Sequence, residues 1–193
     1  MKKCTDYVIS WLIHCKIINE SEKALYEYAL HSFFLLIMPF ILAGTIGFCM
    51  GMFKHGIVII LPFMILRKFS GGYHAKKLSI CMISSGCLLY LCMILSKYVK
   101  CSWTLTTITA IASLSLILAS PIDSECRMLD ENEKMRYKTV TIVCVIIFWL
   151  LNRILNLAGK QIYVVDLSIG LLLTAGLQIP CIIKILVNRP KTL

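Results

Sequence analysis

Six stretches of this chain run for ten or more residues with almost no charge, and this pattern constrains the fold more than any other feature. A helix crossing about 30 Å of hydrocarbon needs about 20 residues. Five stretches approach that length: Phe33 to Phe53, Leu78 to Ser96, Trp103 to Ile122, Thr139 to Leu157 (interrupted by Arg153) and Ile162 to Val187 (interrupted by Asp166 and Lys184). The sixth, Gly56 to Leu66, has eleven residues before Arg67 and Lys68, so it reads as a short or re-entrant span. With 59% hydrophobic and 16% charged residues, the chain lacks the polar side chains to cover a soluble surface. The same figures exclude intrinsic disorder. The fold class is therefore an all-α integral membrane protein, a single multi-pass domain over residues 1–193 with about six transmembrane segments.

The net charge of +10 would suggest nucleic acid in a soluble protein. Here the bases fall in short clusters between apolar runs, as expected of topological signals, so no nucleic-acid partner is predicted. With a cytoplasmic N-terminus and six crossings, fifteen bases lie inside: Lys2, Lys3, Lys16, Lys23, Arg67, Lys68, Lys76, Lys77, Arg127, Lys134, Arg136, Lys138, Lys184, Arg189 and Lys191. Lys54, Lys97, Lys100 and Lys160 lie outside, and Arg153 lies within a span. If the short segment did not cross, the 67–77 cluster would move outside and everything after it would invert. Both termini are thus placed in the cytoplasm.

Residues 1–31 form an amphipathic region without a cleavable signal sequence, since Lys2, Lys3, Lys16, Glu20, Glu22 and Lys23 break up any apolar core of a leader. Val8, Ile9, Trp11, Leu12, Ile13 and Ile17 gather on one side of a helix, which lies on the membrane surface or packs as a cytoplasmic helix. Residues 123–138 form a cytoplasmic loop with a short helix after Pro121. Ten cysteines show no CxxC pairing or zinc-ligand spacing and read as reduced, buried small hydrophobes. Neither metal nor cofactor is expected. Arg153 and Asp166, on antiparallel spans, are expected to form an ion pair, and His55 to anchor the outer interface.

One segment carries chemistry: Arg67-Lys68-Phe69-Ser70-Gly71-Gly72-Tyr73-His74-Ala75-Lys76-Lys77, with Cys81 about one turn into the next span. Two adjacent glycines permit a sharp turn. Residues seven apart share a helix face but stand about 10 Å apart, so His74 meets Cys81 only if the turn folds it back over the helix start. A helix N-terminus, an imidazolium and the bases Arg67, Lys68, Lys76 and Lys77 all favour a thiolate, while burial opposes it. A thiolate beside an imidazole is the minimal nucleophile and base for acyl transfer.

The pattern R-x3-G-G-x-H-A-x5-C, carried by Arg67, Gly71, Gly72, His74, Ala75 and Cys81 between short apolar spans, resembles the accessory gene regulator B (AgrB) family. The chain length and Ser120-Pro121-Ile122-Asp123 before a charged loop also fit, although that loop is more acidic and has fewer prolines than the family pattern. The resemblance implies a membrane cysteine endopeptidase that processes a quorum-sensing propeptide. In that role Cys81 is the nucleophile and His74 the general base. Arg67, Gly71 and Gly72 shape the turn, and Arg67, Lys68, Lys76 and Lys77 offer a basic dock for an acidic tail. Arg67 serves equally well as a positive-inside anchor. Ser70, Ser79 and Asp123 are candidates to orient His74. Attack at the bond before the tail leaves an enzyme thioester, which an internal Cys or Ser of the peptide closes into a thiolactone or lactone. The implied partners are the propeptide, membrane lipid and a second copy in a homodimer. Two competing readings are a small peptide exporter, motivated by the intramembrane charges, and a scaffold or metal site built on His74 and Cys81.

Overall fold

Every apolar stretch becomes a helix. The structure, a computed structural model, describes residues 2–15, 18–19, 22–70, 78–121 and 130–187. Among these are α1 (Lys2–His14), α2 (Lys23–Cys49), α3 (Phe53–Ser70), α4 (Leu78–Tyr98), α5 (Trp103–Ala119), α6 (Glu131–Leu157) and α7 (Gln161–Val187), with no strand among the described residues. Two of them, α6 and α7 over Gln161–Ile183, are long and apolar enough to cross a membrane by length and composition.

The chain divides into two units, residues 1–41 and 42–193. In the first, α1 exposes Tyr7 and Trp11, one turn apart on the same face, while Ile9 is buried. The first long helix begins ten residues before its apolar run, at Lys23. In the second unit α7 is the central helix, packed against α3, α4, α5 and α6. Residues 164–171 are buried without a break, which only a helix surrounded on nearly all sides allows. Leu167, Leu171 and Ala175 of α7 meet Leu66, Leu116, Val145 and Phe148 in the core.

The eleven-residue stretch is only part of its helix. It belongs to α3, a continuous helix of 18 residues and so about 27 Å long. The sequence understated it because the helix continues through Phe53, Lys54 and His55 at one end and Arg67 to Ser70 at the other. Pro62 sits inside α3 against Gly170 of α7. A methyl group at Gly170 would meet the Ile59 carbonyl oxygen and lie 3.0 Å from the Pro62 ring, so the two helices touch backbone to backbone there.

Turns at one end are tight. Gly51 (φ 68°) reverses the chain between α2 and α3, and Gly159 (φ 72°) does so between α6 and α7. Both adopt a left-handed conformation that side chains with a Cβ disfavour. After α6, the Gly159 and Lys160 amides donate to the Asn156 and Leu155 carbonyls, closing the last turn. Of the stretch 123–138, for which a short helix is predicted, the described part from Glu131 belongs to α6. Residues 122–129 lie outside the described residues, Asp130 caps α6 by accepting from the Glu131 amide at 2.9 Å, and Glu131 to Lys138 form the first turns of α6 itself.

Candidate active site

At the end of the second unit where α3 and α5 finish, three chain segments converge on one buried side chain. Gln178 of α7 donates through Nε2 to the Ser70 carbonyl, the last residue of α3, and to Ser120 Oγ, the cap of α5, both at 3.1 Å. All three residues are buried. The Gln178 Oε1 has no hydrogen-bond partner among the described residues. Gln178 thus ties together the residue immediately before Gly71-Gly72 and the residue immediately before Pro121. Sequence reasoning missed it, because one amide in a long apolar run carries no spacing signal.

The last turn of α3 carries Arg67 and Lys68. These cations complement the negative end of the helix dipole. The Arg67 guanidinium lies over the Phe63 ring at 5.0 Å, and the Lys68 ammonium is 5.7 Å from the Phe69 ring. Phe69 in turn meets the edge of Tyr137 from α6, at 5.8 Å and 74° between rings, so the charged start of α6 reaches this same end.

Cys81 lies in the first turn of α4, which begins at Leu78. This is the placement expected from the sequence. His74, Gly71, Gly72, Lys76 and Lys77 lie outside the described residues, as does Asp123. Of the side chains suggested to orient His74, Ser70 is buried at the end of α3 and Ser79 is a residue of α4.

Corrections arise at the opposite end. Asp166, fully buried, does not pair with Arg153. Its Oδ2 lies 2.7 Å from His55 Nδ1, and its Oδ1 accepts from Ser96. His55 also stacks on Tyr163, with ring centroids 5.6 Å apart. His55, half-buried at the start of α3, thus joins α3, α4 and α7 through Asp166. Asp166 turns inward because α7 is central, whereas Arg153 sits on an exposed face of α6 over the Trp149 ring at 5.6 Å. The cysteines are corrected in part: Cys92, Cys101, Cys144 and Cys181 are partly buried, but Cys15, Cys49 and Cys87 are exposed. Along a helix whose outer face is apolar, a thiol fits outside as well as inside.

The family model of accessory gene regulator B matches residues 1–182. No curated protein and no solved structure matches. The match contains the whole R-x3-G-G-x-H-A-x5-C pattern and all seven helices except the end of α7. The chain belongs to the accessory gene regulator B (AgrB) family, membrane-associated proteins involved in processing autoinducing peptides.

Proposed function

We propose that the chain is a membrane-embedded cysteine endopeptidase that cuts the C-terminal tail from an autoinducing-peptide precursor. The observation that carries this reading is the position of Cys81, in the first turn of α4 and seven residues after the family's histidine. Amide groups at a helix start lack intrahelical partners, and their partial positive charge favours a thiolate on a residue of the first turn. His74 takes the thiol proton and later returns it to the leaving amine. Cys81 attacks the carbonyl before the tail, the C–N bond breaks, and the peptide remains as a thioester. An internal nucleophile of the same peptide then displaces Cys81 and closes the ring. Its high effective concentration favours it over water.

Arg67 and Lys68, with Lys76 and Lys77, supply positive charge beside this turn for an acidic tail. Gln178 holds the end of α3 to the end of α5, which fixes where the Gly-Gly turn begins. The proposed topology is six crossings by α2 to α7, with both termini and Cys81 on the cytoplasmic side of the cell membrane, in a homodimer. The exporter reading drew on the intramembrane charges. Asp166 is occupied by His55 and Ser96, and Arg153 faces outward, so neither lines a shared path through the helices.

The test is cleavage of the precursor by membranes containing the protein. Cys81→Ser and His74→Ala are expected to abolish tail release, by at least about a hundred-fold, while inserting at normal levels. A covalent precursor adduct should be trapped on Cys81. Unchanged cleavage by Cys81→Ser would overturn the assignment.

A further inference from the structure

The end of the second unit opposite Cys81 has an imbalance of charge that its own residues do not resolve. His55, Ser96 and Asp166 bring the start of α3, the end of α4 and the start of α7 together there. Lys54, Lys97, Lys100, Arg153 and Lys160 are all exposed at that end. Asp166 is its sole acidic residue, and it is buried and engaged. The other acids among the described residues of the second unit, Asp130, Glu131 and Glu133, stand at the start of α6, the far end of that helix from Arg153.

Arg153 is the deepest of these bases, four residues before the end of α6 and flanked by Leu150 and Ile154, which are 59% and 61% exposed. Among the described residues it meets the Trp149 ring but no carboxylate. An uncompensated guanidinium in an apolar surface is costly, and a planar fork of donors is best satisfied by a phosphate or carboxylate. Beside it runs an open groove of about 370 Å³ between α5 and α6, lined by Ala110, Ser113, Ile117, Val145, Trp149 and Arg153. Its wall is pinned, because the Trp149 indole N–H donates to Ser113 Oγ at 3.1 Å.

We propose that this groove binds an anionic phospholipid, with its phosphate on Arg153 and an acyl chain along the α5–α6 seam. An apolar trough ending in one cation has the two-part character of such a lipid. A second copy of the chain in the same membrane orientation does not supply the anion, since the helix ends at that depth carry no acid other than Asp166. The site is independent of the cleavage chemistry at the other end.

Bromine on an acyl chain quenches only a tryptophan that it touches, so the probe is the full chain carrying Trp149 as its sole tryptophan (Trp11→Phe, Trp103→Phe), in micelles titrated with brominated lipid. Brominated phosphatidylglycerol is expected to half-quench Trp149 at a mole fraction about five-fold below brominated phosphatidylcholine, the ratio one basic residue gives near anionic lipid. Arg153→Gln should abolish that preference while leaving quenching by phosphatidylcholine in place, which also shows that the variant is folded. Ala110→Phe should weaken quenching by both lipids, and inorganic phosphate should not displace them. Equal quenching by the two lipids, or a preference that survives Arg153→Gln, would overturn the proposal. So would disulfide cross-linking of two copies through Leu114→Cys with no quenching of Trp149.

Discussion

At the scale of single residues, two buried polar sites hold helices together at opposite ends of the second unit. The Asp166 carboxylate uses both oxygens, one toward His55 and one toward Ser96. Removing a partner from a buried charge costs more than removing the whole pair, because the charge left behind has lost its compensation. His55→Ala is therefore expected to lower the unfolding free energy by about 3–5 kcal/mol. Adding Asp166→Asn to that variant should recover part of the loss. Denaturant unfolding in detergent measures both, and strictly additive losses would show that the two side chains do not interact. The chemistry of these residues is plain from their types, but their pairing was not legible. His55 and Asp166 are separated by 111 positions, and the nearer candidate in sequence, Arg153, points the other way.

At the scale of elements, the α3–α7 contact is set by glycine. A Cβ at Gly170 would collide with a carbonyl oxygen and a proline ring, neither of which swings aside as a flexible side chain would. Gly170→Ala should destabilise the protein by about 1–3 kcal/mol. Gly176→Ala, on the same helix with nothing within 4 Å, should be neutral or stabilise by up to about 1 kcal/mol. Thermal unfolding of the two variants side by side separates close packing from helix propensity. The apolar runs made the positions of α2 to α7 legible, with errors confined to their ends. Counting charge-free residues shortened α3 and α6 because charged side chains occupy their terminal turns, where the helical backbone continues while its side chains reach polar surroundings.

At the scale of the whole molecule, charge asymmetry predicts orientation. If α2 to α7 all cross, a membrane-impermeant thiol reagent should label Lys134→Cys only after access to the cytoplasmic face, and Lys160→Cys from outside intact cells, in a background lacking other reactive cysteines. Both labelled from one side would break the six-crossing topology. The same asymmetry separates the two proposed sites. Bases near the Gly-Gly turn accompany the proposed nucleophile, and the fewer bases at the other end accompany the proposed lipid groove.

The sequence by itself determined the helical, membrane-compatible class, the family and the candidate nucleophile. These follow from local properties: runs of apolar residues, and a motif contained within fifteen positions. Only the tertiary structure decided that α7 is central, that Asp166 belongs to His55 and Ser96, and that Gln178 joins the ends of α3 and α5. Apolar side chains serve equally well facing lipid or protein, so hydrophobicity does not encode which face of a helix is inside. Packing of small residues and satisfaction of buried polar groups make that choice, and both depend on neighbours far away in the chain.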